Sequence, residues 1–310
     1  MIVVGGDNLI DLIESVRNDG LVSFTGARGG SGYNTACAVA RQQQSVGFIT
    51  PISTDNLGQF LADKMISDGV ELLSPRSEKP SSLAVVTLMD GQPSYQFYRD
   101  DTAERQVDLP FLQNNFPAKG RAFHLTSLAI IDGSDADAWA DFFAEQHRVG
   151  TVTTLDPNVR PMLIADRETY LKRLWRLMNT TDILKLSDED LEWIFPNLDF
   201  DTACVALLGK TSAKLSIVTK GAKGAICYCN GLKVAVPAYP VPKLVDTVGA
   251  GDTFMGTVLS YLNSANLLSQ AVLTGLDYAT LTALLTRASK AAAINCGREG
   301  CQPPIADALN

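Results

Sequence analysis

Short apolar runs recur along this chain, and most are followed by a longer stretch of helical pattern. Ile2 to Gly6, Val46 to Thr50, Ala122 to Thr126, Thr151 to Leu155, Asp182 to Leu186 and Leu215 to Thr219 read as buried strands. Between them, Asn34 to Gln44, Leu57 to Ser67, Ala136 to His147 and Glu168 to Met178 read as helices. This alternation predicts an α/β fold, a mainly parallel sheet covered by helices on both faces. From Ala250 onward the pattern is mostly helical. Two segments break the rhythm: Leu12 to Phe24 carries Asn18-Asp19-Gly20, and Leu83 to Tyr98 carries Asp90-Gly91. Each is a hairpin turn signal between β-prone flanks. The expected organisation is one unit over residues 1–310 with a small β appendage from about 12–28 and 82–101. A cover over one edge of the sheet and a surface decoration are equally compatible with it.

Composition narrows the function. Of 310 residues, 46% are hydrophobic and 19% charged, which suits a globular protein with an ample core. A net charge of −8 argues against nucleic acid or a membrane surface as the main partner. The N-terminal Met1 to Asp7 lacks the basic start of a signal peptide. The six cysteines form no CxxC pair, and with only His124 and His147 a His/Cys metal site is not expected. A reduced, cytoplasmic enzyme or binding protein fits these features.

Two familiar strings are decoys. Gly209-Lys210-Thr211 ends like a P-loop, but Cys204 stands where the first glycine belongs and a helical run precedes it. Gly30-Ser31-Gly32 begins like a dinucleotide fingerprint, but Thr35 replaces the third glycine. Asp246-Thr247-Val248-Gly249-Ala250-Gly251-Asp252 is different, because a helix follows it. Glycines let the backbone approach a ligand, and the helix start adds amides and a positive dipole end, so the turn suits an anion. Asp252 is oddly placed there unless it takes a proton from a group beside the anion. Amides holding a phosphoryl group beside a base make a phosphotransferase. An Asp that merely caps a helix is the plainer alternative.

Other segments sit where open α/β sheets bind ligands, just beyond strand ends. Asp156 to Pro161 places Arg160 for a phosphate or carboxylate. Ser187 to Asp190 opens a helix, and its acids either serve the dipole or organise Mg²⁺ through waters on Glu189 or Asp190. Thr219 to Gly224 suits nucleotide contact or a plain hairpin turn. Gly29 to Asn34 offers close backbone approach and an amide to a polyhydroxy ligand, or a loop ending in an N-cap.

These segments, in this order, resemble the PfkB (ribokinase-like) family of carbohydrate kinases. Gly29 to Asn34 looks like its N-terminal di-glycine signature and Asp246 to Asp252 like its DTxGAGD signature. Ala84-Val85-Val86, Ser94 to Tyr98, Asp156 to Pro161, Lys185 to Glu189 and Asn295 to Pro304 look most like bacterial fructokinases. The resemblance implies an αβα sandwich with a β lid, with ATP and Mg²⁺ as cofactors. It implies Asp252 as base, an anion hole from the amides of Gly249, Ala250 and Gly251, and Arg160 facing the transferring phosphate. It places Asp11, Gly30 and Asn34 on sugar hydroxyls, and the two hairpin insertions, if they cover the sugar, put Phe97 and Tyr98 against it. Thr219, Gly221 and Gly224 would face the nucleotide, and Asn295 the adenine. In relatives that use K⁺, the ion sits near positions matching Asp246, Val248, Asn295, Arg298 and Gly300. Two segments depart from the pattern. The metal-organising NxxE reads Ser187 to Asp190, and Asp7 replaces the Glu usual in fructokinase-like relatives. The expected activity is ATP-dependent phosphorylation of a primary ketose hydroxyl, D-fructose foremost, with a homodimer through the lid. A 2-keto-3-deoxygluconate or nucleoside kinase, simple nucleotide hydrolysis and a non-catalytic sugar sensor are the alternatives.

Overall fold

The computed structural model describes residues 1–16, 21–89 and 92–310. The two turn signals, Asn18-Asp19-Gly20 and Asp90-Gly91, lie outside the described residues. The strands are β1 (Ile2–Gly5), β2 (Leu9–Val16), β3 (Val22–Gly29), β4 (Val46–Phe48), β5 (Glu71–Leu72), β6 (Ser82–Met89), β7 (Gln92–Tyr98), β8 (Ala122–Thr126), β9 (Val152–Asp156), β10 (Ile183–Ser187), β11 (Leu215–Thr219), β12 (Ala225–Cys229) and β13 (Leu232–Val236). The helices are α1 (Ser31–Arg41), α2 (Asn56–Asp68), α3 (Leu109–Asn115), α4 (Gly133–Arg148), α5 (Arg167–Met178), α6 (Asp188–Ile194), α7 (Phe200–Leu208), α8 (Ala250–Ser264), α9 (Gln270–Leu273) and α10 (Tyr278–Cys296).

The large sheet runs β13-β12-β11-β10-β9-β8-β1-β4-β5. All its pairs are parallel except β11–β12 and β12–β13, which form an antiparallel edge. Strands buried on both faces need apolar side chains at successive positions, hence the unbroken runs in the sequence. In β1, Ile2 and Val4 enter one core while Val3 enters the other. α1, α2, α8 and α10 contribute to the first core, and α4, α5, α6 and α7 to the second. The result is a three-layer αβα sandwich. Its second core is the more aromatic, with Phe123 in ring contact with Trp139, Phe142 and Phe143.

After β1 the chain moves outward to β4 and β5, then returns to place β8 on β1's other side. That reversal is a topological switch point, where open parallel sheets leave a crevice beyond their strand ends. The second sheet, β3-β2-β6-β7, springs from the same region. It starts at Leu9, slightly earlier than the sequence pattern suggests, because the apolar Leu9 and Ile10 are already paired with β3 and β6. A buried ion pair ties its base to the body: Arg99 Nε meets Glu104 Oε1 at 2.6 Å, and Glu104 Oε2 accepts the Asn8 amide at 3.1 Å.

One helix contact decides where the chemistry can sit. α1 and α8 pack so closely at Gly256 that a Cβ there would lie 2.6 Å from Ala38 Cβ and 3.1 Å from Thr35 O. Beside it, Gln42 Nε2 donates to Thr257 Oγ1 at 2.6 Å. Gly256→Ala gains about 1 kcal/mol of helix propensity but overpacks this contact. The expected net loss is roughly 1–2 kcal/mol, read as a lower urea midpoint with unchanged slope. A midpoint equal to or above wild type would show that the two helices have room to separate.

Candidate active site

Asp252 lies in the first turn of α8 and is almost wholly buried. The turn before it is set by Gly249, whose φ of 70° is a left-handed conformation that side chains resist. A Cβ at Gly249 would also strike Cys301 Sγ at 2.2 Å, so the C-terminal segment forms the floor of this turn. The amide of Ala250 donates to Thr247 O at 3.2 Å and that of Thr253 to Gly249 O at 2.8 Å, bracketing the amides of Gly251 and Asp252.

Residues far away in sequence converge on Asp252. Ser31 Oγ donates to Oδ1 at 2.5 Å, and Asn34 Nδ2 donates to Oδ2 at 2.8 Å. Both donors stand in the first turn of α1, whose N-terminal amide at Ser31 donates to Asp7 Oδ2 at 3.0 Å. Burial pushes the Asp252 carboxyl upward, and the bonds from Ser31 and Asn34 followed by the charges of Lys185 and Arg160 pull it back. Lys185 is buried in β10 and pairs with Asp156 at 2.8 Å. Its ammonium lies 3.0 Å from where a Cβ of Gly251 would be. Burial alone would lower the Lys185 pKa, but Asp156 and then Asp190 hold it above the ordinary value, so it stays charged. Burial, then the charge of Lys185, pushes His124 down to about 3 and keeps its imidazole neutral.

Asp11 lies in β2 within electrostatic range of Arg160. Burial raises its carboxyl to about 6, with Arg160 opposing and Asp246 adding to the rise. Gly29 leaves the space that Asp11 occupies, since a Cβ there would sit 2.2 Å from Asp11 Oδ2. Gly30 caps α1 against the Asp7 backbone. Arg160 Nη1 donates to Asn158 Oδ1 at 2.5 Å, and Asn158 itself holds a left-handed φ of 40°. Such backbone strain often marks a site whose geometry is over-determined by its surroundings.

Several expectations need correction. Phe97 and Tyr98 cannot both line one ligand, because side chains alternate along a strand. The register aligns Phe97 with Ala84 and Asp11, whereas Tyr98 pairs with Leu83 on the opposite face and is exposed. Asn295 is fully buried, its Nδ2 donating to Val248 O at 2.8 Å and its Oδ1 accepting the Gln302 amide at 2.7 Å. Its side chain therefore clamps two loops and is closed to an adenine ring. Asp190 is occupied as well: it forms a capping box with Ser187 and accepts the Val159 amide at 2.7 Å. Glu189 is the exposed carboxylate of that turn.

Asp246 accepts the amides of Val248 at 3.0 Å and Gly300 at 2.9 Å. Arg298 turns its guanidinium onto Gln302 O at 2.8 Å. At the end of β11, Thr219 lies opposite Ser187 and donates to Leu186 O at 3.2 Å. Gly221 is open on its Cβ side, while Gly224 is packed against the backbone of Val236 and Pro237. Sequence reasoning gave no role to Ser31 or Lys185. For Lys185 a signal existed, since a lysine inside an apolar strand must find a buried partner. Ser31 carried none, because a serine at a helix start reads as a cap.

The comparisons with known proteins agree with this geometry. The chain is 35% identical over 284 residues to a fructokinase of Rhizobium leguminosarum bv. trifolii, covering 89% of this chain and 84% of that protein. It is 31% identical over 265 residues to the probable fructokinase-5 of Arabidopsis thaliana, covering 84% and 82%. A crystal structure of a Xylella fastidiosa fructokinase with bound ATP superposes with a TM-score of 0.90 at 27% identity, covering 99% of this chain and 96% of that one. The profile described as pfkB family carbohydrate kinase matches residues 1–308, and the chain belongs to that family.

Proposed function

We propose that this protein is an ATP-dependent fructokinase that transfers the γ-phosphate to the primary C6 hydroxyl of D-fructose. The observation that carries the reading is the setting of Asp252. A buried carboxylate, held through both oxygens by Ser31 and Asn34, stands beside a glycine turn at a helix N-terminus. A helix-capping Asp would have no use for two donors from another helix. The fructokinase relatives supply the acceptor class.

In this reading Asp252 takes the hydroxyl proton as the oxygen attacks phosphorus, and its raised proton affinity suits that role. The amides of Gly249, Ala250 and Gly251 stabilise charge on the transferring group, with the Ala250 amide also closing the turn onto Thr247. Arg160 faces the phosphate. Asp11, Gly30 and Asn34 hold the sugar, and Phe97 covers it from the small sheet, which acts as a lid excluding water. Thr219, Gly221 and the backbone at Gly224 border the nucleotide.

Among the described residues, no group of three or more His, Cys, Asp or Glu is placed to hold a metal ion directly. The exposed carboxylate of Glu189 fits a Mg²⁺ carried on the nucleotide and reached through water. Bound there, the ion neutralises phosphate charge. Asp246 gathers the loops of Val248 and Gly300 by accepting their amides, and only the remaining lone pairs of its carboxylate would serve K⁺ as oxygen donors. Val22, Phe24 and Tyr98 are exposed on one face of the small sheet, which supports a second copy seated on it. Cytoplasmic residence fits the six free cysteines.

Coupled ADP release across a panel of ketoses, 2-keto-3-deoxygluconate and nucleosides tests the reading. D-fructose should give the highest kcat/KM, and Asp252→Asn should lower kcat by about 10²–10⁴ while retaining ATP binding. A panel in which no sugar stimulates ADP release, or an Asp252→Asn enzyme within a few fold of wild type, would defeat it.

Sugar affinity should also follow the ionisation of Asp11. The charged carboxylate accepts sugar hydroxyls, and its raised pKa of about 6 means it protonates as pH falls through that value. Sugar KM should therefore climb below pH 6, by about tenfold per unit, with ATP KM steady. In Asp11→Asn this dependence should vanish on top of a KM already raised. A sugar KM that stays flat from pH 7.5 to 5 would remove Asp11 from the sugar site.

A further inference from the structure

Asn158 joins the two sides of the site. Its Oδ1 accepts from Arg160 Nη1 at 2.5 Å, and its Nδ2 donates to Ser31 Oγ at 3.1 Å. A guanidinium can only donate, so the amide oxygen must face Arg160 and the amide NH₂ must face Ser31. Ser31 Oγ also lies 2.5 Å from Asp252 Oδ1 and 3.0 Å from Thr126 Oγ1. A hydroxyl has one proton and two acceptor positions. With Asn158 filling one acceptor position, the ionised Asp252 claims the proton, and Thr126 donates into the position that remains. Every proton in the chain then has one direction, from Arg160 through Asn158 and Ser31 to Asp252.

We propose that Ser31 and Asn158 are positioning residues for the base, a relay of hydrogen bonds that fixes the Asp252 carboxylate and donates to its charged form. With Asn34 on Oδ2 and Ser31 on Oδ1, each oxygen keeps only its remaining lone pair for the incoming hydroxyl proton. The carboxylate cannot rotate without breaking both bonds. Burial makes Asp252 a stronger base, and Ser31 is first among the groups that oppose it. The relay so defined rests on the kinase reading, but its effect on Asp252 is measurable without turnover.

The other charged groups around Asp252 are Lys185 on β10, Asp156 at the end of β9 and Arg160 in the loop after it, and the thiol of Cys301, which burial keeps protonated, is the remaining titratable neighbour. Ser31→Ala leaves them all in place, as it does the Ser31 amide bond to Asp7. The first measurement is a ¹³C titration of aspartate carboxyls in the free protein, with the Asp252 signal assigned by its loss in Asp252→Asn. Ser31→Ala should raise the Asp252 midpoint by about one unit, the loss of one hydrogen bond to the charged form. Asn158→Gly, chosen because glycine accepts the left-handed backbone, should raise it by less. In the Ser31→Ala background Asn158→Gly should add nothing, since its path to the carboxylate is gone.

With D-fructose and ATP, Ser31→Ala should lose about tenfold in kcat and shift the acid limb of the kcat profile upward, with both KM values within about twofold. Ser31→Thr should restore the profile. An unmoved midpoint in Ser31→Ala, or additive shifts in the double variant, overturns the relay whatever the acceptor sugar proves to be. If Asp252→Asn loses activity as expected while Ser31→Ala keeps the wild-type profile, the kinase reading stands and the relay alone falls.

Discussion

The close crossing of α1 over α8 is the contact on which the site depends. Ser31 and Asn34 are more than two hundred residues from Asp252 in sequence, yet they bond its two oxygens directly. Side chains as short as these reach across only where the two helix starts lie close together. The missing side chain at Gly256 permits this, with Ala38 facing it and Thr35 O almost touching. Everything else at the strand ends is arranged around that pair of helix starts. Asp7 holds the first turn of α1 through the Ser31 amide, and Cys301 supports the turn that begins α8.

The electrostatics of the site are a contest between burial and donors. Desolvation drives Asp252, Asp11 and Asp7 toward the protonated form, Asp7 reaching about 7 with Glu104 adding to the rise. Against this stand fixed amides, hydroxyls and the buried Lys185. A carboxylate left in an apolar pocket would stay protonated and be useless as a base. One fully solvated would be too weak a base. The arrangement sets Asp252 between these limits by geometry, because its donors are held by helices and strand ends rather than by mobile loops.

Much of the fold was legible because parallel strands covered on both faces write uninterrupted apolar runs, as in Ile2 to Gly6 and Leu215 to Thr219. The antiparallel edge of β12 and β13 was less so, since only the first of its strands suggested a hairpin. The Asp246 to Asp252 string announced its chemistry through glycines that only a close approach explains. What the sequence left open concerns partners. Asn295 looks like a ligand-facing amide until its two loops are seen to close on it. Asp190 looks like a free acid until the Val159 amide is found against it. Phe97 and Tyr98 differ only by strand register, which depends on how β6 and β7 pair. A linear string does not state which hydrogen-bonding capacity is already spent.

The floor beneath the Gly249 turn has a consequence for how the protein comes into being. The turn rests on Cys301, and the loop from Asp246 to Val248 is clasped by Asn295 and by the amide of Gly300. During synthesis, the helix bearing Ser31 and Asn34 exists long before its counterpart at Asp252, and that counterpart exists before its support. A nascent chain that has reached Ser264 has made every residue of the base and its donors but still lacks the piece that shapes the amide turn. The chemistry is therefore withheld until Cys301 has been made, and a fragment ending before it would carry the residues of the site without its finished form.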